Sequence, residues 1–294
     1  TYLIALQNML FAHARLVGYA NSESELTDLL AHTDSTWRLC SSVNEQYQQC
    51  HINYLTAIAR TADRQLLGLL RADASVQRAR DTISRIQKIG GKFLDAEQFS
   101  ALALLSQAKL ALASPAGPQA ALTELQDTLQ RCLAIADKDA MCRTLDAQAQ
   151  WVRADWDAAQ GRSPLPALLL ALDKARLATL SPEPFPDSWW TLAESPRRLL
   201  TDPATSATKR AEHVTAAQDA LAKCLAINPH HPLCHASSGM LALTQAKLAP
   251  SSDDRIPLAS RAAADLQTAL QSDSLLLARF GQALTEAQTL ARAP

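Results

Sequence analysis

The sequence contains six cysteines, and their spacing gives its clearest prediction of a chemical role. They form three pairs, and the two members of each pair lie ten residues apart. The pairs recur every 92 residues along the chain. An even number of cysteines in equivalent pairs is the pattern of a disulfide framework, so we predict one disulfide within each pair. The pairs are Cys40 with Cys50, Cys132 with Cys142, and Cys224 with Cys234.

Two other roles would suit cysteines at these positions. A buried free cysteine acts as a small core residue in many helices. Zinc binding is an alternative at the third pair, because His230, His231 and His235 surround Cys224 and Cys234. The second pair has no histidine near it in the sequence. A metal design shared by all three pairs therefore fails, and we predict no metal and no cofactor.

Each pair spans the end of one predicted helix and the start of the next. At the third pair the break is Asn228-Pro229. Residues about five positions on either side of a short turn face each other in an antiparallel helix pair, so their Cα atoms can reach the ~5.5–6 Å that a disulfide prefers. Each bridge would stabilise the fold by roughly 2–3 kcal/mol. Because the cytosol keeps thiols reduced, we predict a location in the periplasm, on the cell surface or outside the cell.

Composition favours helix and excludes several classes of partner. The 294 residues are 48% hydrophobic and include only 8 glycines, which favours helix throughout. The net charge of −1 gives no global attraction for nucleic acid or an anionic membrane. No apolar run approaches the ~18 residues of a membrane span, so we expect no membrane insertion by this chain. The sequence opens inside a predicted helix without an initiator Met, and we expect a fragment or a processed chain.

Half of the 92-residue spacing is 46 residues, and a period of this length is also present. Ala62, Ala108, Ala154 and Ala246 fall at one register position, where the intervening unit has Leu200. A small residue at a fixed position permits close approach of helices, and a fixed period indicates a repeat array. We therefore predict a single helical array with units near 1–46, 47–92, 93–138, 139–184, 185–230 and 231–271, and a capping helix over 272–294.

Each unit is predicted to contain two helices. In the third unit these span Asp95–Ala113 and Gln119–Ala136. Prolines predict two interruptions, because proline breaks the interior of a helix. The first is irregular structure over Ser195–Thr208, and the second is a loop that delays the last helix of the sixth unit to Leu258–Gln271.

The segment Ala217–Pro229, AQDALAKCLAINP, resembles the second helix of a tetratricopeptide repeat. Ala217 matches the family's first small residue, Leu221 its large apolar residue, Cys224 its second small residue and Pro229 its closing proline. A similar pattern is present at Leu125, Leu129 and Cys132. The resemblance implies a right-handed α-solenoid of about six helix-turn-helix repeats with a C-terminal cap.

Two features depart from the tetratricopeptide pattern. Asp137 replaces the closing proline in the third unit, and the 46-residue period exceeds the family's by about 12 residues. This extended pattern is similar to the repeat regions that follow the kinase domain of some bacterial serine/threonine kinases. The chain contains no kinase motif, so that resemblance implies a sensor or docking region without kinase activity.

The tetratricopeptide resemblance also implies that the first helix of each unit lines a concave surface. Tryptophan and arginine, the types enriched in binding hot spots, cluster on the helices concerned. The alternative for each tryptophan is packing between helices, and Trp156, a turn and a half beyond Trp151, is expected to face elsewhere. The predicted partner-binding residues are Arg143, Gln150, Trp151, Trp189, Trp190, Arg197 and His235.

The sequence contains no motif that predicts catalysis. Glycine-rich phosphate loops, nucleophile elbows and HExxH helices are all missing. Asp253 and Asp254 are predicted to form a turn that starts a helix. His213 is predicted to be a surface residue. We therefore predict a non-enzymatic protein.

Three functions follow as hypotheses. The first is a disulfide-bonded scaffold or sensor domain outside the cytoplasm that binds a protein or an extended peptide on the concave face. The second is a structural subunit of an extracellular filament or assembly that self-associates through its terminal repeats. The third is a binder of a small ligand, such as a sugar, at the tryptophans.

Overall fold

The computed structural model describes residues 2–200 and 205–292. Within these residues the regular structure is entirely helical, with thirteen α-helices, two short 3₁₀ turns and no strand. The chain divides into two compact units, Thr1–Leu145 and Asp146–Pro294. The predicted all-α class is confirmed, whereas the right-handed twist, the number of repeats and the single array stay predictions.

Unit 1 is built from helices that pack in chain order. Each helix contacts its sequence neighbours, and α1, α3 and α5 also pack against one another in sequence. The helices are α1 (Tyr2–Leu16), α2 (Glu23–Val43), α3 (Gln48–Leu67), α4 (Asp73–Ile89), α5 (Leu94–Ala111) and α6 (Gln119–Ile135), with a 3₁₀ turn at Val17–Tyr19.

Unit 2 follows the same pattern. Neighbouring helices pack together, and α9 also contacts α11. The helix α7 (Ala140–Ala159) begins in unit 1 and ends in unit 2. The others are α8 (Leu165–Thr179), α9 (Pro186–Leu199), α10 (Ala207–Ile227), α11 (Pro232–Leu248), α12 (Ser252–Ser272) and α13 (Leu277–Arg292), with a 3₁₀ turn at Ser274–Leu276.

Serine N-caps mark the beginning of three helices. The hydroxyl of Ser22 accepts a hydrogen bond from the backbone N–H of Glu25, and the Glu25 carboxylate accepts one from the N–H of Asn21. This reciprocal arrangement satisfies donors that the first helical turn leaves unpaired. Ser206 and Ser251 cap α10 and α12 in the same way, although without the returning glutamate.

The first and second helices of a pair are buried differently. All residues from Cys50 to Ala59 in α3 are buried, so this helix is enclosed on every side. By contrast, α4 buries one stripe, Val76, Ala79, Ile83 and Ile86, at the spacing of a single helical face. The enclosed helix α3 is thus the one that packs against both α1 and α5.

Side-chain contacts in unit 1 recur at the predicted period. The Asn53 side chain donates to the carbonyl of Gln7 at 3.0 Å, and Arg60 donates to that of Ala14 at 3.0 Å. Lys109 forms an ion pair with Asp63 at 3.0 Å. In all three contacts the partners are 46 residues apart, which fits helix pairs that touch the next pair along the chain.

The small residues predicted at one register position are buried. Ala62, Ala108, Ala154 and Ala246 are at most 1% exposed. A glycine in α11 shows how closely α11 and α12 approach each other in unit 2. A Cβ atom on Gly239 of α11 would lie 2.6 Å from the Leu266 side chain of α12, so only glycine fits there.

One predicted interruption by proline is wrong, and the other is shorter than expected, since only Leu200, Thr205 and Ser206 among its described residues are not helical. The helix α9 continues through Pro196 to Leu199, although the proline removes the hydrogen bond that an N–H at this position would donate to the carbonyl of Leu192. The helix α12 begins at Ser252 and includes Pro257. Its start is stabilised upstream of the proline by the Ser251 cap and by two aspartates in the first turn. The predicted irregular segment also covers 201–204, which lie outside the described residues.

Candidate partner-binding face and the disulfide-closed turns

Three disulfides join the predicted cysteine pairs. The Cα atoms of the partners are 6.5 Å apart in each bridge, within the range that disulfides adopt. All six cysteines are buried. Each bridge links the end of one helix to the first turn of the next, namely α2 to α3, α6 to α7 and α10 to α11.

The backbone of the three turns is the same. The residue four positions after the first cysteine leaves the helix with extended dihedrals, and its N–H donates to the carbonyl of that cysteine. These bonds are Asn44 to Cys40 (3.1 Å), Ala136 to Cys132 (3.0 Å) and Asn228 to Cys224 (3.0 Å). The asparagine side chains add a further bond at the first and third turns, to the N–H of Gln46 and of His230.

The residue after the second cysteine closes each turn from the side. The His51 ring donates to the carbonyl of Glu45 at 2.9 Å, Arg143 donates to that of Asp137 at 2.8 Å, and the His235 ring contacts that of Pro229 at 2.9 Å. Two predicted partner-binding residues, Arg143 and His235, therefore also stabilise equivalent turns.

A fourth turn has this geometry without cysteines. Asp273 leaves α12 with extended dihedrals, and its N–H donates to the carbonyl of Ala269 at 2.9 Å. Its carboxylate accepts from the N–H of Leu275, two residues on, as Asn44 and Asn228 do from theirs. The turn therefore forms from local hydrogen bonds, and the disulfide is an addition to it.

A capping residue lies beside two of the bridges. Asp139 accepts from the N–H of Cys142 at 2.8 Å, and His231 accepts from that of Cys234 at 3.3 Å. Each cap and its two sulfurs lie within 4.8 Å of one another, close enough for metal ligands. The sulfurs are bonded to each other, however, so they are not thiolate ligands in this form of the protein.

Glu194 is the centre of a buried polar cluster in unit 2. Arg197 pairs with its carboxylate, one contact being 2.7 Å, Arg198 approaches at 3.4 Å, and the Ser237 hydroxyl donates at 3.1 Å. Burial opposes ionisation of Glu194, but the arginine charges and these hydrogen bonds outweigh it and lower its pKa to about 2. The same ion pair raises the pKa of Arg197. Both groups are therefore charged at neutral pH.

Trp151 and Trp190 connect this cluster to the adjacent helices. The indole N–H of Trp151 donates to Ser195 at 3.1 Å, which links α7 to α9. That of Trp190 donates to Ser237 at 3.0 Å, which links α9 to α11. The two rings meet edge to face with centroids 5.5 Å apart, and Arg198 stacks on Trp151 at 4.9 Å. The partners of each indole are 44 and 47 residues away, about one period.

The predicted partner-binding residues differ in their exposure. Trp151 is 5% exposed and Gln150 is 6% exposed, so both are buried. The side-chain oxygen of Gln150 has no hydrogen-bond partner among the described residues. Trp189 and Trp190 are half-buried, and Lys223 of α10 stacks on Trp189 at 4.5 Å. These two indoles are therefore partly accessible, in contrast to Trp151.

Sequence reasoning found the tryptophans and Arg197 but not the residues that hold them. Glu194, Ser195, Arg198 and Ser237 form the cluster that brings Trp151, Trp190 and Arg197 together. A search for polar residues about one period from each tryptophan would have found both serines. Arg143 belongs to unit 1, where its own turn positions it.

Unit 1 contains a second aromatic cluster that sequence reasoning did not identify. Trp37 stacks on Tyr54 with ring centroids 4.4 Å apart and donates to the His51 ring at 3.1 Å. The Tyr54 hydroxyl donates to Asp34 at 2.6 Å, and Arg78 pairs with the same carboxylate. Burial and this hydrogen bond raise the pKa of Tyr54 well above its usual range. The cluster ties α2, α3 and α4 together beside the first disulfide.

The fold and the turns define a disulfide-bonded helical protein with recurrent helix pairs. No protein-family model matches the chain, and no curated protein matches it. In the part of the chain that the structure describes, no helix combines the length and the apolarity needed to cross a bilayer.

Proposed function

We propose that this protein is a non-catalytic helical-repeat scaffold that binds a protein or an extended peptide. The observation that carries the proposal is the arrangement of α7, α9 and α11 in unit 2. These helices are linked by hydrogen bonds in which a tryptophan indole donates to a serine about one period further along the chain. The middle helix of the three, α9, carries the half-buried Trp189, Trp190 and Arg197.

Rigidity is the physical reason why this surface suits binding. An aromatic surface whose rings are already fixed by hydrogen bonds and ion pairs loses little conformational entropy when a partner binds. Tryptophan and arginine are also the residues that contribute most energy to protein interfaces. Glu194 holds Arg197 in place, so the guanidinium is positioned before a partner arrives.

The finer features of the proposal are the repeat class and the compartment. Within each unit we assign the helix pairs to extended tetratricopeptide-like repeats with a right-handed twist. Three buried disulfides are compatible with an oxidising compartment, so we propose a location in the periplasm, on the cell surface or outside the cell.

The binding face can be tested with a random peptide library displayed on phage. We expect the immobilised chain to select peptides, and Trp189→Ala to weaken the selected peptides at least about tenfold by removing a hot-spot side chain. Trp156→Ala is the matched control, since it removes another half-buried indole, which its spacing from Trp151 puts on a different face of α7. Equal loss with both variants, or no selection of peptides, would contradict the proposed face.

Assembly through the last helix, one form of the rival function, is less well supported. The exposed residues of α13 are mostly polar or charged, and Leu277 is the one large hydrophobic residue exposed on the described part of this helix. A polar outer face is typical of a terminal repeat that ends an array. Stacking of copies through this helix would therefore bury charge and little apolar area.

A further inference from the structure

The three disulfide-closed turns differ at the residue seven positions after the first cysteine. This residue is Tyr47 in the first turn, Asp139 in the second and His231 in the third. Asp139 and His231 each accept a hydrogen bond from the N–H of the second cysteine of their pair, whereas the Tyr47 hydroxyl donates to Gln7. One backbone geometry thus presents a phenol, a carboxylate and an imidazole at the same position.

At the third turn this side chain completes a set of metal ligands. One ligand atom of His231 and the sulfurs of Cys224 and Cys234 all lie within 4.8 Å of one another. Two thiolates and an imidazole are ligands that suit zinc, and they leave one position of a tetrahedral site for water. Both cysteines are 0% exposed and the His231 side chain is 12% exposed, so the protein would enclose most of the ion.

Hydrogen bonds already orient the His231 ring for this role. Its Nδ1 accepts from the N–H of Cys234 at 3.3 Å, and its Nε2 lies 3.3 Å from the carboxylate of Asp187. A histidine that binds a metal through one nitrogen usually donates from the other to a carboxylate or a carbonyl, which fixes the tautomer and makes the ligand more basic. With its proton on Nε2, the His231 ring directs the lone pair of Nδ1 into the turn.

We propose that the third turn binds Zn²⁺ through Cys224, His231 and Cys234 when its disulfide is reduced. Reduction by a dithiol transfers two electrons and two protons to the bridge, which leaves two thiols on the protein and a disulfide in the reductant. Zinc then binds both sulfurs as thiolates and displaces their two protons. The disulfide and the metal exclude each other, so the oxidised turn holds no zinc. This inference does not depend on the proposed binding face.

The local hydrogen bonds keep the two sulfurs close to each other after reduction. The turn at Asp273 has the same backbone geometry without cysteines, so the bridge is not needed to form it. Two thiolates bound to one tetrahedral zinc are about 3.7 Å apart. The Cα atoms of Cys224 and Cys234 are 6.5 Å apart, and rotation about the two Cα–Cβ bonds can separate the sulfurs without moving the helices.

The other two turns provide a graded comparison. In the second turn Asp139 lies within 4.8 Å of both sulfurs, but a carboxylate matches zinc less well than imidazole does beside two thiolates. In the first turn both ring nitrogens of His51 have other partners, the Trp37 indole and the Glu45 carbonyl. We therefore expect the zinc affinity of the reduced turns to rise from the first to the second to the third.

Three variants of the full chain test this order, each with one cysteine pair retained and the other two pairs replaced by alanine. Each is reduced with a phosphine, and a chromophoric chelator that competes for zinc measures the affinity. We expect the third-turn chain to bind one Zn²⁺, and to bind Co²⁺ with a thiolate-to-cobalt charge-transfer band. The same chain in its oxidised form should bind neither ion. Equal zinc affinities of the three chains, or no zinc bound by the third-turn chain, would overturn the proposal.

Histidine variants of the third-turn chain test the assignment of His231. His231→Ala should weaken zinc binding at least about tenfold, because even the loss of a residue that only orients a ligand costs 10- to 100-fold. Asp187→Asn should cause a smaller loss. His230→Ala is the matched control, since this neighbouring histidine is exposed and is not part of the ligand set.

Circular dichroism checks that each variant keeps its helices. If a variant does not, His231→Ala in the fully reduced native chain gives the same comparison, and the native chain should bind one tight Zn²⁺ more than this variant. Unchanged affinity in His231→Ala, or an equal loss in His230→Ala, would overturn the assignment of His231 as a ligand.

Discussion

At the scale of single residues, Glu194 has the most marked electrostatic environment of unit 2. Its carboxylate is buried against two arginines and one serine, and its pKa falls from 4.5 to about 2. Removal of one partner from a buried ion pair leaves an uncompensated charge, which destabilises a protein by about 3–5 kcal/mol. The cluster therefore stabilises the positions of Trp190 and Arg197 only while Glu194 is ionised.

This environment predicts a pH dependence of stability. Because the folded pKa of Glu194 is depressed, its stabilisation is present above the unfolded pKa and is lost as the pH falls toward 2. Between pH 7 and pH 3 this group should lower the free energy of unfolding by about 2 kcal/mol. Denaturant titrations at both pH values should show that decrease in the native chain but not in Glu194→Gln.

Glu212→Gln is the control for this experiment, since Glu212 is an exposed carboxylate on α10. It should retain the pH dependence of the native chain. A Glu194→Gln variant with an unchanged pH profile would show that the carboxylate does not carry the effect.

There is a physical reason why this cluster could not be predicted from the sequence. Glu194, Arg197 and Arg198 stand at the spacing of adjacent positions on a helix, which is also the spacing of ordinary surface ion pairs. Only packing decides that these charges are buried, and Ser237 lies 43 residues away from Glu194. Pro196 also predicted a break at this place, so the helix itself was not expected.

At the scale of elements, the cysteine turns were the most predictable feature. Their spacing indicated both the pairing and the helix junctions, because a short antiparallel turn fixes which residues face each other. The ends of α5 and α6 also lie within two residues of those expected. The exceptions were α9 and α12, which both include a proline, and α13, which begins at Leu277 rather than near residue 272.

The turn at Asp273 predicts the effect of removing a disulfide. That turn forms without cysteines, so Cys132→Ala with Cys142→Ala should leave the helical circular dichroism spectrum unchanged. The free energy of unfolding should fall by about 2–3 kcal/mol, the chain-entropy contribution of so short a loop. Chemical denaturation followed by circular dichroism measures both quantities. A loss of helix content in the absence of denaturant would contradict the view that hydrogen bonds form the turn.

At the scale of the whole molecule, the period was accessible from the sequence and the grouping of helices was not. Contacts 46 residues apart, such as Asn53 with Gln7, fit the predicted repeat. The division into two units near Leu145 lies inside α7, where no change in composition marks it. Contact density depends on how helices pack, and a periodic pattern does not encode it.

The central claim is that three equivalent turns, which recur every 92 residues, are each closed by a disulfide. Alkylation of the unreduced, denatured protein followed by tryptic mass spectrometry tests it directly. We predict no alkylated thiol, with Cys40 bonded to Cys50, Cys132 to Cys142 and Cys224 to Cys234. The first and third bridges should lie within single tryptic peptides, and the second should join two peptides cut after Lys138. Six alkylated cysteines, or bonds between different pairs, would contradict the claim.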